Sequence, residues 1–419
     1  MLSLNWTIKW TNLFEFYMST TLLDLTPFIP SDKILGQSSL PDKVLDLNKE
    51  SAKLTGQLSP QTLATLEQYM RVINSYYSNL IEGNATRPHE IRAAQRGDYS
   101  GDPAKRDLQK ESLGHMAVQH WISELNPDLD TIFSFEFIQT LHEKFYTQIP
   151  ESLWSIKDTK GNNVDKVVPG EWRTKRVDVG QHVAPEAGSL TDLMNGFCKT
   201  FNPNNYKGDR KLVAIMAAHH RFTWIHPFID GNGRVGRLLT DAALKAVGLD
   251  SYGAWSLSRG LARSTAQYKS LLAGADVVRQ GDYDGRGALS EKGLVRFCDY
   301  MLDTAIDQVS YMSNLLDLVN LRKRINSYVQ ARNDFRVPDM KEGLKSSASL
   351  VLYSAFIQGE LERSQALELT GLQERSARRL LSQMKREGLL SETSSKSPLR
   401  WEIPEHAEGW YFPELAPLA

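Results

Sequence analysis

The densest chemistry in the chain lies in one run, His226-Pro227-Phe228-Ile229-Asp230-Gly231-Asn232-Gly233-Arg234-Val235-Gly236-Arg237. An imidazole at His226 can take a proton from an incoming hydroxyl near neutral pH. Asp230 offers a hard oxygen ligand, and one carboxylate plus substrate phosphates is a usual way for a protein to hold Mg2+. Gly231 and Gly233 open backbone angles closed to other residues and let a ligand approach the main chain. Asn232 adds a neutral donor, and Arg234 and Arg237 add planar, charged forks suited to phosphate oxygens.

The flanking pattern says what must position these groups. Upstream, Leu212, Ile215, Met216, His219, Phe222 and Ile225 recur at helical spacing; downstream, Val235, Leu238, Leu239, Ala242 and Val247 do the same. The run therefore reads as a loop between two helices that opens onto the N-terminus of the second. Free N–H groups there, together with the helix dipole, favour an anion such as phosphate.

The run resembles the signature of the Fic family, His-x-Phe-x-Asp/Glu-Gly-Asn-Gly-Arg-x-x-Arg, at every fixed position. The resemblance implies a protein adenylyltransferase that moves AMP from ATP to a Tyr, Ser or Thr hydroxyl of a target protein or of itself. It makes His226 the base and Asp230 the Mg2+ ligand. It assigns the nucleotide phosphates to the stretch Gly231, Asn232, Gly233, Arg234, Val235 and Gly236, with Arg237 on the γ-phosphate. At position 233 the Doc branch has Lys, which favours moving phosphate alone; Gly233 argues for nucleotidyl transfer. Branches that move phosphocholine or UMP share the motif. Removal of AMP is the first alternative activity, and a DNA-binding regulator with a vestigial site is the second.

Three further segments bear on the site. Ser59-Pro60 opens a helical pattern that ends at Gly83, which leaves Glu82 on the last turn. A helix C-terminus does not favour a carboxylate, so Glu82 calls for an arginine partner. Ser78 to Asn84 resembles the inhibitory motif Ser/Thr-x-x-x-Glu-Gly/Asn of self-inhibited Fic proteins; this implies that Ser78 and Glu82 are regulatory and that Glu82 denies Arg237 to ATP. Arg176 to Val183 resembles the Fic flap, a hairpin that docks the target protein by strand addition and whose Val179, Gly180, Gln181 and His182 touch the nucleotide. Tyr268 stands where relatives line the adenine pocket, but Gln267 and Ala275 depart from their pattern, and a core tyrosine is an equal reading.

Composition sets the outer limits. The chain has 419 residues, 41% hydrophobic and 24% charged, with a formal net charge of −1. That describes a globular protein with ample core and no global pull towards nucleic acid or an anionic membrane. Two cysteines, Cys198 and Cys298, leave no disulfide framework or zinc cluster to build. No segment approaches the roughly 20 apolar residues of a membrane helix, and a cytoplasmic location is expected. Residues 1–17 are aromatic but interrupted by Asn5, Lys9, Asn12 and Glu15; Met18 is an alternative start.

The expected fold is mainly α: an irregular arm over 1–44, a helical region with the inhibitory motif over 45–130, and a core over 131–310. A helical linker over 311–344, a winged helix over 345–405 and a tail over 406–419 follow. One loop and one helix are expected between Thr86 and Gln119, one hairpin between Asp158 and His182, and one helical region from Leu289 to Ile325. In the winged helix, Arg375, Arg378, Arg379, Lys385 and Arg386 form only a modest basic patch beside Glu374 and Glu387. A protein-interaction or packing role is favoured over DNA binding, and a homodimer is left open.

Overall fold

The computed structural model describes residues 20–157, 162–179, 182–249 and 253–415. The readings of residues 1–17 and of Gly180 and Gln181 lie outside these. The fold is mainly α. It opens with α1 (Asp32–Leu35), α2 (Leu40–Gly56), α3 (Pro60–Ile81), α4 (Pro88–Gln95), α5 (Pro103–Leu125), α6 (Leu129–Ile132) and α7 (Phe135–Thr147). Two of these helices correct the sequence reading for one reason. Pro41 in α2 and Pro103 in α5 stand in the first helical turn, where a missing N–H costs nothing. Helix α2 thus occupies part of the expected arm, burying Leu40, Val44, Leu47 and Leu54. Likewise Thr86 to Gln119 holds parts of two helices, α4 starting at Pro88.

Two antiparallel ribbons follow, not one. Strands β1 (Ser155–Lys157) and β2 (Asn163–Lys166) pair with each other, as do β3 (Asp178–Val179) and β4 (His182–Val183). The central helices are α8 (Leu190–Phe201), α9 (Arg210–Ile225), α10 (Asn232–Ala246), α11 (Leu257–Arg263) and α12 (Thr265–Ala275). The long helical region is split into α13 (Glu291–Leu315) and α14 (Leu318–Asn333), with the Asp317 side chain capping the second by accepting from the Asn320 N–H.

The C-terminal unit runs α15 (Ala348–Gln358), β5 (Glu360–Leu361), α16 (Arg363–Leu369), α17 (Glu374–Arg386), β6 (Leu390–Ser391), β7 (Leu399–Trp401) and α18 (Glu405–Tyr411). Its sheet has the order β5-β7-β6, all antiparallel. The helix, turn, helix, strand, strand order was legible; the short β5 was not. Nor is 406 onward a plain tail, since Ala407 and Tyr411 of α18 are buried. Among the described residues no helix is long and apolar enough to cross a membrane.

Helices α9 and α10 form the centre of the core. Leu212, Val213, Met216 and Phe222 of α9 and Val235, Leu238 and Leu239 of α10 are almost fully buried. Gly236 lets the two helices approach: a Cβ there would meet the Phe222 ring at 3.2 Å. Leu63, Leu66, Met70 and Ile73 seat α3 in the same core.

Candidate active site

Helix α9 ends because His226 takes a left-handed conformation, φ 51°, while its N–H still reaches the Phe222 carbonyl. Helix α10 begins after Gly231, φ 82°, where a Cβ would crowd the Tyr146 ring at 3.0 Å. Between them the loop is clamped by Asn232. Its Oδ1 accepts the Phe228 N–H at 2.9 Å and its Nδ2 donates to the Phe228 carbonyl at 2.8 Å. That side chain therefore holds its own loop, and its main-chain N–H, in the first turn of α10, lacks an acceptor within the helix. Val235 is buried and its N–H bonds to the Gly231 carbonyl; Gly236 serves the α9–α10 crossing, and neither lines the cleft.

A cleft of about 670 Å³ opens over this loop, lined by Glu82, Val179, His182, His226, Asp230 and Arg237 among others. The His226 Nδ1 lies 3.3 Å from the Thr223 carbonyl, which can only accept. The proton therefore sits on Nδ1 and Nε2 keeps its lone pair. Burial, with the nearby charges of His182 and Arg173, pushes His226 down to about 4, so the ring is neutral at physiological pH.

Asp230 lies beside His226 in the cleft. Its side chain is 46% exposed. The Tyr146 hydroxyl donates to Oδ2 at 2.6 Å, and Arg234 stands 3.4 Å away. Partial removal from water raises its carboxyl, but the Arg234 charge and the Tyr146 hydrogen bond outweigh this and hold it below the usual carboxylate range. It is an ionised carboxylate facing the cleft. Among the described residues there is no group of three or more His, Cys, Asp or Glu that could by itself hold a metal ion.

The two arginines at the start of α10 have separate acids. Arg234 pairs with Glu111 of α5, and its guanidinium carbon lies 4.7 Å from the Phe145 ring centre. Arg237 donates from Nε to Ser78 Oγ at 2.9 Å, and from the same terminal nitrogen to the Ser78 carbonyl at 3.0 Å and Glu82 Oε1 at 2.7 Å. Burial raises the Glu82 carboxyl, yet Arg237 and Arg234 bring it below its ordinary value. Gly233 makes room for this pair: a Cβ there would collide with Glu82 Oε1.

Several groups around the site carry no local sequence signal. His142 of α7 stacks on Phe228, centroids 3.8 Å apart and planes within 2°. Its Nδ1 accepts the Gly170 N–H at 2.8 Å, which leaves Nε2 to donate to the Asp230 carbonyl at 3.2 Å. Arg173, 4% exposed, spends its donors on four carbonyls, those of Lys175, Pro185, Ile225 and His226. It thereby ties the stem of the β3–β4 ribbon to the His226 turn. His182 is held at the cleft wall: Nε2 lies 2.8 Å from the Trp224 carbonyl and Nδ1 3.1 Å from Asp276. Val179 stays at the cleft wall. Tyr268, 3% exposed, bonds through its hydroxyl to His219 Nε2 at 2.7 Å and shows only an edge to the cleft.

Residues 132–244, which contain α9, the loop and nearly all of α10, match the Fic/DOC family. The chain is 29% identical over 185 residues to the Protein adenylyltransferase Fic of Aedes aegypti, covering 44% of this chain and 34% of that protein. It is 30% identical over 186 residues to the protein of the same name from Drosophila yakuba, again 44% and 34%. The chain thus spans about a third of the length of these curated relatives. Two solved structures are similar. A Fic family protein from Desulfovibrio desulfuricans G20 shares 20% identity at TM-score 0.46, over 86% of this chain and 95% of that one. Fic-1 from C. elegans shares 16% at TM-score 0.49, over 67% and 73%.

Proposed function

We propose that the Fic/DOC-family domain of this chain is a protein adenylyltransferase. The observation that carries the reading is the convergence, in one cleft, of a neutral His226 with Nε2 bare, an ionised Asp230 and the open first turn of α10. The incoming hydroxyl gives its proton to His226 Nε2 as its oxygen attacks the α-phosphorus of ATP. The bond from the α-phosphorus to the bridging oxygen breaks, and pyrophosphate leaves with that electron pair. Main-chain N–H groups at Gly233 and Arg234 face the phosphates, with the helix dipole behind them. Asp230 and the nucleotide phosphates would hold Mg2+, which supplies charge neutralisation on the phosphates. The target segment would lie along the β3–β4 ribbon, which Arg173 holds against the base.

Self-inhibition follows from Arg237. Its outer nitrogen already serves Ser78 and Glu82, and one fork cannot serve a carboxylate and a γ-phosphate in the same geometry. With Glu82 in place the triphosphate enters misaligned, and a misplacement of about 1 Å costs on the order of a hundredfold in rate. Gly233, where the phosphate-transferring branch has lysine, supports nucleotidyl transfer. The C-terminal unit is read as a partner-binding or packing module rather than a DNA reader, since Arg378, Lys385 and Arg386 are paired with Glu374, Glu392 and Glu342. Incubation with ATP labelled at the α- or the γ-phosphorus tests the reaction: α-label should become protein-bound, and bound γ-label would replace this reading with phosphotransfer.

A further inference from the structure

We propose that the C-terminal unit sets the position of α3, and through it of Glu82, with Glu408 as the residue that positions the helix. This rests on the reading of Glu82 as the inhibitory carboxylate. The contact runs along nearly the whole length of α3. At its start, Gly359, in the turn after α15, lies so close to Ser59, the cap of α3, that a Cβ would collide with the Ser59 hydroxyl. The buried Thr62 hydroxyl donates to the Phe356 carbonyl at 2.5 Å. Tyr69 donates to Glu408 Oε1 at 2.5 Å, and its ring packs 5.6 Å from that of Phe412. Tyr77 donates to the Leu415 carbonyl at 3.2 Å. Positions 62, 69 and 77 share one face of a helix.

Glu408 is the hub. It is 8% exposed, it accepts from Tyr69 through one oxygen, and it pairs with Arg92 of α4 through the other. A paired carboxylate buried between three elements adds little net stability over well-packed apolar groups, but its directional bonds set register. The far end of α3 delivers that register to the site. Tyr77 immediately precedes Ser78, which accepts from Arg237 Nε, and Glu82 lies about one turn on. From Tyr69 to Glu82 the helix spans about 20 Å. A packed helix moves over such a length as one body, by steps of about 1–2 Å, a displacement large enough to disturb the Glu82–Arg237 bond. Helix α3 also leans on α5, where Ser75 donates to the Ser112 carbonyl at 2.8 Å. Loss of the Glu408 contact should therefore loosen the helix without releasing it.

The test uses the full chain as wild type, Glu408→Gln, Tyr69→Phe and Glu82→Gly, and each of the first two combined with Glu82→Gly. Tyr69→Phe removes one hydroxyl and keeps the ring against Phe412, so it serves if Glu408→Gln folds poorly. Two readouts are taken: the initial rate of AMP incorporation from α-labelled ATP, and amide exchange at Glu82, Gly83 and Asn84, whose N–H groups bond to carbonyls of the last turn. Glu408→Gln and Tyr69→Phe should each raise incorporation several-fold when Glu82 is present and leave it within twofold in the Glu82→Gly background. Exchange at Glu82 to Asn84 should quicken in both. Equal loss of rate in the two backgrounds, with unchanged exchange, would mark the contact as packing alone and overturn the proposal. A Glu82→Gly rate no higher than wild type would instead remove the inhibitory reading, while the exchange result still decides whether Glu408 positions the helix.

Discussion

Arg234 and Arg237 stand one turn apart on α10, both buried and both paired with a glutamate, yet the two regions around them are built differently. The acid of Arg234 is Glu111, in the middle of α5, with its side chain 13% exposed and its second oxygen accepting from Asn84 at 2.6 Å. The acid of Arg237 is Glu82, at the C-terminal cap of α3, 30% exposed and followed by Gly83 with φ 96°. A carboxylate at a helix C-terminus faces the unfavourable end of the dipole and has fewer backbone constraints. Under the proposed function, the same chemical pair is a scaffold when its acid sits mid-helix and a releasable contact when its acid sits at a helix end.

The base sets the scale of any rate comparison between them. In the Glu82→Gly background, His226→Ala should lower AMP incorporation by about 10²- to 10⁴-fold while ATP binding, followed by calorimetry, persists. Retained transfer would mean that another group takes the proton.

The next largest effect separates the two pairs directly. Glu82→Gly should raise initial AMP incorporation by on the order of a hundredfold. Arg237→Ala breaks the same pair but should stay slow, and the double variant should match Arg237→Ala, because the arginine is itself needed at the phosphate. Equal rates for wild type and Glu82→Gly would return α3 to a structural role.

Glu111→Gln sharpens the comparison from the scaffold side. It leaves Arg234 buried beside a neutral partner and should cost about 3 kcal/mol of stability, read from denaturant melts. Glu82→Gln should cost less, because its carboxylate is more exposed and Arg237 keeps both of its Ser78 bonds. Similar losses for both would erase the distinction drawn here.

The smallest expected effect is in pH. As the proposed base, His226 would work only when neutral, and burial lowers it to about 4. The active form therefore prevails above that value and is lost as pH falls through it. Transfer by Glu82→Gly should vary little between about pH 6 and 8, whereas an ordinary histidine would give an acid limb near 6.5. A midpoint close to 6.5 would show that the ring is better solvated than its packing against His182 and Arg173 implies.

The sequence by itself determined that a histidine, an aspartate and two arginines come together where one helix ends and the next begins, and that Glu82 ends a helix in want of a cation. Those are short-range facts: apolar spacing, glycine freedom and helix caps act over a few residues and can be read in order. Where that local logic was applied too simply it failed, as in the expected irregular arm, where Pro41 stands in the first turn of α2, and between Thr86 and Gln119, where α4 and most of α5 replace one helix. Only the tertiary structure decided that Arg237 is the cation Glu82 meets, that Glu111 and Tyr146 hold Arg234 and Asp230, that His142 and Arg173 brace the His226 loop, and that Glu408 reaches α3. Each of these joins residues from separate elements. Such partners are chosen by how helices pack and which buried polar atoms must be satisfied, and no spacing along the chain records that choice.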